Sequence, residues 1–169
     1  MNLYSLIKRV QVRLHIILFG RISYFKSIGG TIGTGGRFIG NIDFGSEPYL
    51  ITIGDNVSIT SSSFVNHDGG VWVFRNDLPK IDVVKPILIG NNVFIGAGCT
   101  ILPGVCIGDG VVIGAGSIVT KNLKSNAVYA GVPAKFIKSM QDYKESSIAN
   151  STDTKGDINK KTILIERFK

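Results

Sequence analysis

The chain has 169 residues, 44% of them apolar, with 21 Gly, 5 Pro and a formal charge of +7. That length fits a single domain able to bury its own core, and the apolar fraction excludes a chain disordered throughout. Its 24 Ile against 6 Ala and 3 Glu exclude an all-helical bundle, because β-branched residues favour strands while Ala and Glu favour helices.

Residues 1–27 predict an amphipathic helix. Leu3, Leu6, Ile7, Val10, Leu14, Ile17 and Leu18 recur at helical spacing, and Gly20 is the expected stop. Lys8, Arg9, Arg13, Arg21 and Lys26 give the segment its charge, with no acid among them. The apolar stripe is expected to cover the open end of whatever follows. The alternative is a basic helix in peripheral contact with an anionic membrane. The apolar run at residues 14–19, interrupted by His15, falls far short of the ~20 residues of a spanning helix or of a secretory signal, so a cytoplasmic location is expected. The confined charge, with no accompanying motif, argues against nucleic acid.

From residue 28 to 133 a different rhythm takes over. Ile53, Ile59, Val65, Ile89, Ile95, Ile101, Ile107, Ile113 and Val119 stand in steps of six. A fainter version runs through Ile32, Phe38 and Phe44 and is broken at Ser46-Glu47-Pro48-Tyr49. Gly follows the aliphatic at Gly54, Gly90, Gly96, Gly108 and Gly114, and the position four after it is small or aliphatic, as at Val57, Val93, Cys99, Val105, Val111 and Ser117. A period of six matches neither a helix face nor a plain strand. It matches a coil of short segments joined by tight corners, with one aliphatic per segment inward and Gly, Asn or Asp at the bends.

At residues 69–86 the hexads stop. Loops of this length are usually functional or disordered, and Trp72 and Phe74 argue against disorder. Residues 134–144 predict a short helix and residues 145–169 a polar tail, with residues 162–168 ambiguous. Cys99 and Cys106 are too few for a metal knuckle or a disulfide framework and suit a reducing compartment.

The repeat resembles the hexapeptide-repeat acyltransferases, most clearly in Ile89-Gly90-Asn91-Asn92-Val93-Phe94-Ile95-Gly96-Ala97-Gly98 and in Val112-Ile113-Gly114-Ala115-Gly116-Ser117-Ile118-Val119-Thr120-Lys121. The resemblance implies an all-β fold, a left-handed parallel β-helix with three segments per turn and short N- and C-terminal helices. Ala130-Gly131-Val132-Pro133-Ala134-Lys135 resembles the end of the coil in the maltose- and galactoside-acetyltransferase-like branch. That branch implies acetyl-CoA-dependent O-acetylation of a sugar or glycan in surface polysaccharide biosynthesis, by a homotrimer with active sites at subunit interfaces and no metal.

The same resemblance assigns roles. His67, where the chain leaves the coil ahead of the insertion, is the general base. Moving an acetyl group from a thioester to an alcohol requires the hydroxyl to lose its proton as it attacks, and a neutral imidazole suits that task. The backbone N–H of Ala97 receives the oxyanion. Gly114, Ala115 and Thr120 line the pantetheine channel, and Lys121 and Lys135 meet the coenzyme A phosphates, although relatives often carry Arg where Lys135 stands. Asn66, Trp72, Arg75 and Asp77 are expected either to contact the acceptor or to pack the loop on a neighbouring subunit. What orients His67 is open between Asp68 and a backbone carbonyl, and His15 is read as structural. Competing readings are an N-acetyltransferase for amino sugars or drugs on the same fold, and a non-enzymatic β-helical scaffold. A zinc enzyme of the carbonic anhydrase type needs three His at the metal, and the chain has 2 in all.

Overall fold

The computed structural model describes residues 3–168, with side chains from residue 6 onward. The hexads become very short strands: β1 (Thr31–Ile32), β2 (Arg37–Ile39), β3 (Ile51–Ile53), β4 (Ser58–Thr60), β5 (Ser63–Phe64), β6 (Ile87–Ile89), β7 (Phe94–Ile95), β8 (Thr100–Ile101), β9 (Cys106–Ile107), β10 (Val112–Ile113), β11 (Ile118–Val119), β12 (Ala127–Ala130) and β13 (Lys135–Ser139). They form three sheets, ordered β1-β3-β6-β9, β2-β4-β7-β10-β12-β13 and β5-β8-β11. Every pair is parallel except β12 with β13. From β3 to β11 successive strands visit the three sheets in rotation, so each rung rests on the previous one.

The aliphatics line up through this stack. Ile53 pairs with Ile89 and Ile89 with Ile107, Ile59 with Ile95 and Ile95 with Ile113, and Ile101 with Val119. All of them are buried. Burying each such side chain contributes about 1.5–3 kcal/mol, and strands of two or three residues persist only because neighbouring rungs satisfy their backbones.

One corner carries a side-chain ladder of its own. Asp55 Oδ1 accepts from Thr34 N (2.6 Å), Asn91 Oδ1 from Asp55 N (2.8 Å), Asp109 Oδ1 from Asn91 N (2.6 Å) and Ser125 Oγ from Asp109 N (3.0 Å). Left-handed backbone falls one residue later, at Asn56, Asn92, Gly110 and Asn126. The glycines that follow the aliphatics serve a different purpose: a Cβ on Gly96 would lie 2.6 Å from the Ala115 nitrogen on the next rung.

The ladder departs from the step of six at one place. That step points to Val65, but the structure buries Phe64 and leaves Val65 half-buried. Ile59 pairs with Ile95 and Phe64 with Ile101, so the corner from β4 to β5 is one residue shorter than the next. Ser61 turns it with φ 38°, and the buried Ser62 hydroxyl donates to Thr60 O (2.8 Å) and Gly96 O (3.0 Å). The slip puts the Phe64 ring in a stack with Phe44, centroids 5.7 Å apart.

The N-terminal helix α1 (Leu3–Ser27) is broken rather than stopped at Gly20, whose φ of 84° and ψ of 165° are not helical. Phe25, fully buried against Phe38 and Phe44, closes the first turn of the coil. The stripe expected to do so faces outward instead: Leu6, Ile7, Val10, Leu14, Ile17 and Leu18 are all exposed. The break redirects the first segment, so the closing aromatic comes from the second. The Leu3 side chain lies outside the described residues.

At the other end, the helix expected over residues 134–144 begins late. Residues 135–139 are β13, antiparallel to β12. The open edge of β12 satisfies its backbone with this strand, and that tertiary demand overrides local helix propensity. Helix α2 (Met140–Ala149) then starts at a capping box, with Asp142 N donating to Ser139 Oγ and Ser139 N to Asp142 Oδ2. A further helix, α3 (Lys160–Arg167), occupies the segment read as an ambiguous tail.

Candidate active site

The insertion leaves the coil through a pinned neck. Asp68 N donates to Val83 O and Lys85 N to Asn66 O, both at 2.8 Å, and His67 and Val84 form an antiparallel bridge. Asp68 is committed to the helical turn that follows at Gly69–Phe74, where its Oδ1 accepts from Gly70 N (2.9 Å). This removes Asp68 as the group that orients His67. Asn66 is turned fully into the protein, its amide donating to Lys85 O (3.3 Å). That bond helps to hold the neck, while Asn66 Oδ1 is buried with no hydrogen-bond partner among the described residues.

His67, its side chain 42% exposed, stands in an open cleft of about 410 Å³ together with Lys85, Leu102, Pro103 and Thr120. Its Nδ1 lies 3.1 Å from Glu47 Oε2 and 3.4 Å from Ser46 Oγ. A carboxylate only accepts, so Nδ1 carries the donated proton, and in the neutral ring this makes Nε2 the nitrogen with the free lone pair. Sequence reasoning missed Glu47 and Lys85. The signal for Glu47 was the break at Ser46–Tyr49: Asp43 bridges Ser63, so that break lies one rung below the start of the insertion.

The other expected groups sit on a different corner. Ala97, between β7 and β8, and Gly114 and Ala115, between β10 and β11, share the corner that precedes the β5-β8-β11 sheet, whereas His67 and Thr120 follow it. Around Ala97 the flanking amides are committed, Gly96 N to Ile113 O (2.9 Å) and Gly98 N to Ser61 O (2.8 Å). One chain thus separates the two halves by the width of a sheet, and Thr120 groups with His67 rather than with Gly114 and Ala115. Lys121 and Lys135 are exposed near the C-terminal end of the coil. Trp72, Arg75 and Asp77 lie outside the His67 cleft. Trp72 is 71% exposed, with the Arg75 guanidinium 5.5 Å from its ring centre.

Among the described residues no group of His, Cys, Asp and Glu could hold a metal ion, and no helix is long and apolar enough to cross a membrane.

Residues 86–121 match the family model described as bacterial transferase hexapeptide (six repeats). The chain is 51% identical over 150 residues to protein CapG of Staphylococcus aureus, spanning 85% of this chain and 87% of that one. It is 43% identical over 122 residues to a galactoside O-acetyltransferase of Escherichia coli (strain K12), covering 70% of this chain and 59% of that protein. A solved galactoside acetyltransferase in complex with coenzyme A superposes with a TM-score of 0.54 at 28% identity, covering 86% of each chain.

Proposed function

The chain belongs to the bacterial hexapeptide-repeat acyltransferases, and from that premise we propose that it transfers an acetyl group from acetyl-CoA directly to a hydroxyl of a sugar or glycan, with His67 as general base. The Glu47–His67 pair at the mouth of the cleft carries this reading, because it fixes the tautomer that a base requires.

The imidazole Nε2 takes the acceptor's proton as the hydroxyl oxygen attacks the thioester carbonyl carbon. Negative charge moves to the carbonyl oxygen, where the Ala97 N–H accommodates it. The C–S bond then breaks, and the imidazolium returns its proton to the departing thiolate. No covalent acyl-enzyme is needed. Gly114 and Ala115 offer small side chains along which pantetheine can lie, Thr120 borders the acceptor side, and Lys121 and Lys135 supply point charges for phosphates.

Because the Ala97 corner and the His67 corner lie on opposite sides of the β5-β8-β11 sheet, one chain does not assemble the site. The reading therefore includes a left-handed coil in a homotrimer, where the Ala97 corner of one copy faces the His67 corner of its neighbour. Trp72, Arg75 and Asp77 are exposed on the insertion and available to an acceptor or a neighbouring subunit. A glycan acceptor in surface polysaccharide assembly and a cytoplasmic location complete the proposal.

The test is release of coenzyme A from acetyl-CoA with a panel of sugars, amino sugars and glycans. Acetylated sugar hydroxyls formed by the wild type and lost in His67→Ala are expected. An active His67→Ala protein would reject the base, and product confined to amino groups would reject O-acetylation.

A further inference from the structure

Helix α1 is apolar on two opposite faces. At about 100° per residue, Val12 and Ile16 fall on one side, half-buried over Gly40–Ile42. Leu6, Ile7, Val10, Leu14, Ile17 and Leu18 fall within an arc of roughly 120° on the other, exposed by 43–77%. A soluble helix shows its polar face to water, and this one shows a continuous aliphatic stripe.

Charge identifies what covers the stripe. Six Lys or Arg and no Asp or Glu precede Asp43 in the sequence. Arg13 borders the stripe on one flank, and Lys8, Arg21 and Lys26 are also exposed. A second copy meeting it stripe to stripe would set cation against cation, with no acid in the segment to compensate. An anionic surface meets both requirements, taking the aliphatics into its apolar boundary and the cations at its headgroups. No described helix is long and apolar enough to span, so this one would lie in the plane of the surface.

We propose that the segment of α1 ahead of Gly20 is a monotopic anchor that seats the protein on an anionic lipid bilayer through its outward aliphatic stripe. The inference does not depend on acetyl transfer. Docking by Val12 and Ile16 leaves the outer face available while Phe25, with Ile22 and Ile28 packed against the same core, closes the coil.

The test is flotation of the full-length protein with phosphatidylcholine vesicles, with and without phosphatidylglycerol, at low and high salt. Binding is expected only with the anionic lipid and is expected to weaken with salt. Leu14→Asp combined with Ile17→Asp should lower the bound fraction by about 10-fold or more. Lys8→Glu combined with Arg13→Glu should leave at most weak, salt-insensitive binding, with the same cooperative melting and the same mass in solution as wild type. Absence of binding by the folded wild type, equal binding to neutral vesicles, or a fall in oligomer mass in the Leu14→Asp, Ile17→Asp protein would each overturn the proposal, the last by making the stripe a subunit contact. Coenzyme A release with soluble acceptors is read separately, so failure of the enzymatic reading leaves this result intact, and the reverse.

Discussion

Glu47 Oε2 lies 3.1 Å from Nδ1 of His67, and the two residues are twenty positions apart. The same separation joins Asp43 to Ser63, which form a parallel bridge. The acid is therefore held on the rung beneath the histidine by the stacking of the coil, and Pro48, buried at the start of the helical turn Pro48–Leu50, fixes the backbone beside it.

If this pair supplies the base, His67→Ala should lower kcat by about 10²- to 10⁴-fold. Glu47→Ala should cost about 10- to 100-fold, by analogy with the partners that orient metal-bound histidines. The KM for acetyl-CoA should move less than about twofold in Glu47→Ala, since Glu47 acts through His67 and not on the donor. Steady-state kinetics with acetyl-CoA varied against a fixed acceptor separate these outcomes.

The shortened corner between β4 and β5 makes a contrast that simple counting would invert. Phe64→Ala should destabilise by about 3–5 kcal/mol, because it empties the place stacked on Phe44. Val65→Ala, at a half-buried site, should cost about 1 kcal/mol or less. Chemical denaturation of the two variants measures the difference, and equal losses would place Val65 back on the ladder.

The corner ladder predicts an acid-sensitive contact. The Thr34 backbone N–H, aided by its hydroxyl, holds the Asp55 carboxyl below the usual carboxylate range. A folded pKa below the unfolded one means that the contribution is complete above about pH 4, the unfolded value, and is lost as pH falls through the folded value. Asp55→Asn keeps an oxygen acceptor without the charge, so its melting temperature should sit below wild type at neutral pH. The two should converge in acid. A gap that stays constant from neutral pH down to strongly acidic conditions would contradict the assignment.

The two thiols should differ sharply. Burial pushes the Cys99 thiol up, keeping it protonated and out of reach, while Cys106 is exposed. Native protein should release one equivalent of thiol quickly to a disulfide reagent, and denatured protein both. Fast reaction of both in the native state would mean that the inward position of Cys99 opens readily.

The linear chain determined the winding. Ile89 to Val119 in unbroken steps of six, with Gly, Asn and Asp between them, allow few arrangements besides short parallel rungs, because each property acts within one hexad and repeats. His67 at the edge of an interruption was legible in the same way. The carboxylate that orients it was not, because Glu47 lies in a break of the pattern, and only the stacking of one rung on another brings it to the ring. Counting also could not reveal that Ser61 and Ser62 shorten a corner, moving Phe64 inward in place of Val65. Nor could the apolar stripe of the first helix, from Leu6 to Leu18, say which way it faces. Periodicity fixes which side chains share a face, whereas the direction of that face depends on where Gly20 breaks the helix and on which aromatic, Phe25, reaches the open end of the coil first. Those are contests between contacts distant in sequence, and only the folded chain decides them.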